Sequence, residues 1–555
     1  MAEATAEGSG QPERPRGLLG WIEWIGNALP DPTALFVVGA ALVMLISALA
    51  AWQDWTVRPL VAAPVVDEAG NTVIDPETNQ PKLEFVEQTD ASGAPVEIRA
   101  RNLVSSDGLF WALDTMVTNF INFPPLGVVL VGMIGIGVAE RTGLFSALLR
   151  AFMLVVPAWA FTPAMVFLGI MSSLGLDAGY VVLPPLAGAL YASVGRSPLV
   201  GIAAVLAGVA AGFNANLLVT GLDPLLAGLS TAGAQVVDPD YEVAPPCNWW
   251  FMIASTFVMT GTGWFVTARF VEPRLSRRTP EEGGPVSPGG SAEEIDSQRL
   301  DARERRGLLI AVTAMAVVVA IVVALVLIPG SPLYGKSPRQ AVFDRWVAVI
   351  VPIIFFMFLL PGLLYGVAMG NIRSSKDATT AMVESIAAIA PIIVLAFFAA
   401  QFIAYLDHSQ LGRMLAFAGG SALAQAQLPP WALLVSFILL IAFFNLFIGS
   451  MSAKYAIVAP IFVPMLMIVG ISPELTQASY RIGDSATNVI TPLNAYLVII
   501  LMFMQRYAKG AGMGTLVSMM LPYSIIFLVV WTLLLLAWVG LGIPLGVNGP
   551  LTYPA

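Results

Sequence analysis

Two small polar tips sit inside apolar runs of this chain, 275 positions apart from Tyr180 to Tyr455, and they restrict the possible fold more than any other feature. The first runs from Ser172 through Asp177 and Gly179 to Tyr180, and the second from Gly449 through Lys454 to Tyr455. In each the Tyr is followed five positions later by a proline, Pro185 and Pro460. An Asn within a second interrupted apolar segment follows each Tyr, Asn216 after 36 positions and Asn488 after 33. Irregular backbone at membrane depth survives only where protein encloses it or a cavity needs it. Interruptions at matching places in two halves therefore point to an internal repeat built around a transport site.

The membrane setting follows from composition. Hydrophobic residues make up 57% of the chain, charged residues 11%, and the mean hydropathy is +0.79. No ordinary soluble domain is so apolar. The pattern predicts an all-α polytopic membrane protein, with spanning stretches at 32–52, 125–139, 198–219, 248–268, 307–328, 346–368, 385–405 and 517–540, most near the length a helix needs to cross the hydrocarbon. Residues 1–20 are polar and lack the apolar core of a signal peptide, so the first span is expected to be retained. One cysteine, Cys247, excludes an intrachain disulfide, and one histidine, His408, leaves little for a zinc site. A net charge of -9 offers no basic face for nucleic acid, so the expected partners are the lipid bilayer and a small-molecule substrate.

Loop charges predict the topology, because cytoplasmic connections hold the excess of Lys and Arg. Seven Arg between Phe270 and Arg306 mark an inside linker, whereas 223–247 contains no basic residue and reads as outside. Arg141 and Arg150 before the first tip, and Arg196 after it, fit one face. The segment between them should enter and leave on that side. The expected organisation is a cytoplasmic N-terminus 1–31; a first membrane half 32–269, with an outside loop 54–108 and a re-entrant hairpin around 158–194; a cytoplasmic linker 270–306; a second half 307–542, with an inverted re-entrant hairpin 431–469; and a C-terminal tail 543–555.

An ionisable group inside an apolar span costs about 2.5 to 3.5 kcal/mol on insertion scales, so it needs a partner or a cavity. Asp177, Asp223, Lys454 and the neighbours Arg481 and Asp484 are such groups. Arg481, Asp484, Asn488 and Thr491 recur at i, i+3, i+7 and i+10, one stripe of a helix that then meets Pro492. Asn216, Thr220 and Asp223 form a similar stripe ahead of Pro224 in the first half. Carboxylate, amide and hydroxyl oxygens of this kind suit a small cation, and Asn445 adds another. A purely structural account makes Arg481 and Asp484 a helical salt bridge and the Asn residues interhelical glue. Lys454 at a half-helix N-terminus favours an anion, with Tyr455 beside it to stack on an aromatic ring. The plain alternative is a lysine that snorkels to the interface.

Ser450-Met451-Ser452-Ala453-Lys454 also admits a Ser-Lys intramembrane hydrolase. No Gly-x-Ser-x-Gly elbow supports it, and a hydrolase needs no second inverted copy. Two occluding tips favour alternating access over an open pore, and ATP-driven transport lacks its Gly-x-x-x-x-Gly-Lys-Ser/Thr motif.

The stretch Tyr480-Arg481-Ile482-Gly483-Asp484-Ser485-Ala486-Thr487-Asn488-Val489-Ile490-Thr491-Pro492, with Asp223-Pro224-Leu225-Leu226-Ala227-Gly228 and the tip at Gly449–Tyr455, resembles the AbgT family of p-aminobenzoyl-glutamate transporters and antimetabolite exporters. The resemblance runs from Trp24 to Tyr523. It implies a homodimer in the bacterial inner membrane, nine spanning helices and two hairpins per protomer, and coupling to sodium or protons. Residues important in the family fall on Asp223, Asn445, Ser452, Tyr455, Arg481, Asp484 and Pro492, with Asn445 and Asp484 as the sodium ligands.

The combined reading is a cation-coupled secondary transporter, not an enzyme, that exports p-aminobenzoyl-glutamate, p-aminobenzoate-like carboxylates or sulfonamides. Lys454, Tyr455 and Arg481 are expected at the substrate, with Asn216 and Asn488 nearby, and Asp223 as a gate or proton carrier. Uptake of p-aminobenzoyl-glutamate as a folate precursor or catabolite is the alternative direction. On this reading Asp484→Ala abolishes coupled flux and leaves folding intact.

Overall fold

The computed structural model describes residues 32–58, 60–64, 83–87, 94–175, 178–287, 299–338, 343–491, 494 and 496–553. Asp177, Pro492 and the N-terminal segment 1–31 lie outside them. Among the described residues eight helices are long and apolar enough to cross a membrane: Thr33–Trp52, Pro124–Arg141, Trp249–Leu275, Ala302–Leu327, Ile350–Met369, Ala390–His408, Met451–Ile468 and Met513–Gly540. A ninth is reached if Leu144–Val155 and Ala158–Leu174, which meet at 118°, count as one broken span.

Most expected spans recur with shifted ends. The fifth begins at Ala302 rather than 307 because Asp301 and Glu304 form a capping box ahead of its Arg-rich first turns. The stretch 198–219 does not span. Its helix stops at Leu206, passes through a π turn at Ala207–Ala211 and breaks at Gly212, and within that turn Gly208 lies so close to helix Phe161–Met171 that a Cβ there would stand 2.2 Å from the Val166 carbonyl. A hydropathy window sees only that the stretch is apolar. Met451–Ile468, expected as one arm of a short pair, is long enough to cross by itself, while its companion Pro430–Asn445 is shorter.

Seven helices surround the polar centre and are numbered here in chain order: α1 Phe161–Met171, α2 Ala178–Ser193, α3 Pro198–Leu206, α4 Leu222–Ala234, α5 Pro430–Asn445, α6 Met451–Ile468 and α7 Pro473–Thr487. α1 and α2 flank the first tip, and α5 and α6 flank the second. α7 lies between α5, α6 and α4, and every one of its 15 residues is buried. Gly483 permits this, since a Cβ on it would meet the Ile438 carbonyl of α5 at 2.5 Å, the small-residue contact by which membrane helices approach closely. Gly483→Val should therefore force α5 and α7 apart and cost about 1 to 3 kcal/mol as overpacking does. A detergent-solubilised variant that melts with the parent would show that the contact carries no such constraint.

The outer surface is apolar: Val38, Leu45, Trp159, Leu309, Val317, Ile321 and Leu533 are all exposed. Ala302–Leu327 buries only Gly307 and Ala311. Bilayer contact accounts for such a face. Loop 54–108 contains two short antiparallel strand pairs, Thr56–Val57 with Ile98–Arg99 and Leu60–Pro64 with Leu83–Glu87, before helix Ser106–Asp114.

Candidate transport site

α7 holds the two charges that sequence spacing places on one stripe, yet they do not pair with each other. Arg481 forms an ion pair with Asp223 of α4, and Asp484 forms one with Lys454 of α6, Nζ to Oδ1 2.7 Å. All four side chains are buried. These pairings replace the local helical salt bridge, and Lys454 is buried with Asp484 rather than snorkelling to the interface. Cross-pairing joins α7 to both halves.

The uncharged groups complete the centre. Asn445, at the end of α5, accepts from the Lys454 ammonium through Oδ1, while its Nδ2 faces the Asp484 carbonyl (2.6 Å), Thr487 Oγ1 (2.8 Å) and Asn488 Oδ1 (2.9 Å). Asn214, from the break after α3, brings its Nδ2 to Ser485 Oγ at 2.6 Å and to Asp484 Oδ2 at 3.1 Å. Asp223 Oδ2 accepts from Thr220 N (2.5 Å) and Thr220 Oγ1 (2.9 Å). Asn216 Nδ2 donates to Ser173 Oγ at 2.9 Å, tying the first tip to the break behind it.

Two expected stripes require correction. α7 ends at Thr487 with Asn488 as its C-cap still in α conformation, so Asn488 continues the stripe and Thr491 lies beyond it; the residue ahead of a proline avoids the α region. Asn216 and Thr220 likewise occupy non-helical backbone between Gly212 and Leu222. The functional groups still converge because the unwound segments carry them inward. Tyr455 is fully buried, its Oη 2.6 Å from Ser230 Oγ and its ring 4.3 Å from that of Tyr480. Ser452 is half-buried and faces an apolar crevice lined by Val129, Leu225 and Ile389.

Between the halves, Ser173, Asn214, Asn216, Asp223, Trp249 and Arg481 line a cavity of about 10 Å³, room for roughly one water. A drug-sized ligand needs about 300 Å³ or more. In this conformation the central cavity is too small for such a ligand.

The Ser-Lys arrangement is not assembled either. Ser452 Oγ contacts Ser450 Oγ at 3.4 Å, while the Lys454 ammonium points to Asn445 and Asp484.

A model of the AbgT putative transporter family matches residues 17–553. The chain belongs to the AbgT family. It is 35% identical over 538 residues to the p-aminobenzoyl-glutamate transport protein of Escherichia coli strain K12, covering 97% of each. The Alcanivorax borkumensis YdaH transporter, whose crystal structure is described as showing an unusual topology, is 40% identical with a TM-score of 0.80, covering 93% of this chain and all of that one. Neisseria gonorrhoeae MtrF, described with a class of antimetabolite efflux pumps, is 38% identical with a TM-score of 0.85, covering 97% of this chain and all of that one. This AbgT protein is a multi-pass membrane transporter and not an enzyme.

For the sodium ion expected between Asn445 and Asp484, the two side chains supply the oxygen donors a hard cation prefers. The point between them is filled by the Lys454 ammonium, with the Ile448 carbonyl 3.4 Å from Nζ. A sodium ion does not fit there with this side chain in place. Sequence reasoning passed over Asn214, Ser230 and Gln477. Asn214 stands two residues from the Asn216 chosen on spacing, Ser230 is a small polar residue in the mostly apolar α4, and Gln477 is one of many polar residues of α7, with nothing to single it out.

Proposed function

We propose that this AbgT protein is a cation-coupled secondary transporter of p-aminobenzoyl-glutamate, p-aminobenzoate-like carboxylates and sulfonamides in the bacterial inner membrane, working as a homodimer. The observation that carries the reading is that each buried cation, Arg481 and Lys454, is neutralised by a carboxylate from another helix. An anionic substrate reaches either cation only when its carboxylate lets go. Protonation of Asp223 or Asp484 releases it, so proton and anion binding reinforce one another by linkage. The proton is therefore the coupling ion this arrangement favours. Sodium between Asn445 and Asp484 is the second reading, and it requires Lys454 to swing out first. The exposed faces of Thr33–Trp52 and Ala302–Leu327 are available to the bilayer and to a second copy.

Export of antimetabolites agrees with the likeness to MtrF. Proton and anion binding together instead favours uptake of carboxylate substrates under an inward proton gradient, in keeping with the likeness to the Escherichia coli protein. Proteoliposome flux of labelled p-aminobenzoyl-glutamate and a sulfonamide, with sodium and proton gradients imposed separately, tests both points. Inward flux driven by protons alone is expected. Dependence on sodium alone would overturn the proton reading, and outward flux against an inward proton gradient would establish export.

A further inference from the structure

Glu474 opens α7, and the transport centre does not use it. Its side chain is 2% exposed. Tyr241 Oη lies 3.0 and 3.2 Å from its two oxygens, and among the described residues no Lys or Arg stands within ion-pair distance. The titratable groups facing it are Tyr241 and Cys247 from the connection 235–248, Tyr455 from α6 and, further along α7, Arg481 with its partner Asp223 from α4. Arg481 is already committed to Asp223. Burial, reinforced by the neighbouring carboxyl, pushes the Tyr241 phenol well above its ordinary value, so it remains a donor.

The cover over this carboxyl is built from two connections. Tyr241 packs edge-on against Tyr553 of the C-terminal tail, ring centroids 5.7 Å apart, and Tyr553 Oη donates to Asp238 Oδ2 at 3.2 Å. The tail also clasps the turn leading into α7: Ser472 Oγ donates to the Pro550 carbonyl at 2.7 Å, and Tyr553 N donates to the Gly470 carbonyl at 3.0 Å. Inward from Glu474, its carbonyl accepts from Asn248 Nδ2, the Gln477 side-chain amide lies 3.1 Å from that of Asn248, and Ser230 joins Gln477 to Tyr455. The same helix turns thus touch both the covered carboxyl and the transport centre.

We propose that Glu474 is a proton-carrying site that exchanges its proton with water only when the Tyr241–Tyr553 cover and the C-terminal tail lift away from the start of α7. An ionised carboxylate with a hydroxyl and no cation beside it is costly to bury, so the closed form retains the carboxylic acid. Lifting the cover admits water, which accepts the proton, and the charged side chain then holds that end of α7 open until a proton returns. Because α7 also carries Arg481 and Asp484, loading and unloading Glu474 biases which side of the transport centre is sealed. The inference rests on the proton-linked reading above and adds a third carboxyl to it.

The test compares the parent with Glu474→Gln and Tyr241→Phe, full-length and in lipid. Infrared difference spectra on changing pH should show a protonated-carboxyl C=O band in the parent that is lost in Glu474→Gln and shifted in Tyr241→Phe. The pH profile of p-aminobenzoyl-glutamate flux should flatten in Glu474→Gln. A band that persists in Glu474→Gln, or a flux profile matching the parent, would overturn the proposal. If Glu474→Gln does not reach the membrane, Tyr241→Phe decides it, and an unshifted band sinks the idea. Should the parent carry no p-aminobenzoyl-glutamate, the substrate reading fails, while loss of the band in Glu474→Gln still supports the proton site.

Discussion

Asp484→Ala should destabilise the transporter by about 3 to 5 kcal/mol as well as abolish coupled flux, because removing one partner of a buried pair strands the other charge. The stranded group is Lys454, 1% exposed and otherwise in contact with the Asn445 amide oxygen, the Ile448 carbonyl and the face of the Tyr480 ring, 5.8 Å from its centroid. Spacing alone suggested a variant that folds normally and merely fails to transport; the cross-pairing changes that expectation. The second variant that separates the effects is Asp484→Ala combined with Lys454→Met, which removes both charges and retains an apolar stem. Well-packed replacements of a whole buried pair are often neutral or stabilising. Melting of the double variant should return toward the parent while flux stays absent. If Asp484→Ala alone melts with the parent, the Lys454–Asp484 pair is not structural, and an ion or water must neutralise the lysine.

The companion pair gives the second large effect. Asp223→Asn keeps the shape of the side chain and removes the charge that occupies Arg481. p-Aminobenzoyl-glutamate should then bind more than tenfold tighter at neutral pH, about 1.4 kcal/mol or more, and its affinity should lose the pH dependence expected of the parent. Uphill flux should disappear, since release would no longer be linked to a proton. Ligand should also raise the melting temperature of this variant more than that of the parent, by mass action on the folded state. Parent-like pH dependence of binding in Asp223→Asn would remove Asp223 from the coupling scheme.

Much of this arrangement is legible in the chain because the membrane penalises exceptions. Asp223, Lys454, Arg481 and Asp484 stand out as charges among apolar neighbours, and all four meet at the centre. Their partners were not legible. Arg481 and Asp484 are close enough along α7 to suggest a local bridge, and only the packing of α4 and α6, which also touch each other, against that helix gives each charge a partner from another element. The break at 207–212 was hidden for a related reason: hydropathy is blind to a close backbone approach such as that of Gly208 to Val166. Glu474 escaped notice because a carboxylate in the first turn of a helix is ordinarily a solvated favourable charge. Burial by a connection and a tail distant in sequence makes it something else. Charge bias supplied the expected sidedness, whereas of the second tip only Gly449 and Ser450 lie outside a helix, with Lys454 and Tyr455 already inside α6.

The complete burial of α7 also bears on how the molecule is made. Pro473–Thr487 reads PELTQASYRIGDSAT, a sequence that no insertion machinery would partition into lipid on its own hydropathy. It can settle only after α4, α5 and α6 have formed a cradle, and only then do Asp223 and Lys454 receive their counter-charges. A ribosome that has just finished α6 therefore leaves a nascent chain with two uncompensated charges among apolar helices. Assembly around the two charges would wait until α7 emerges, and chains cut short before α7 should be natural targets for membrane quality-control proteases.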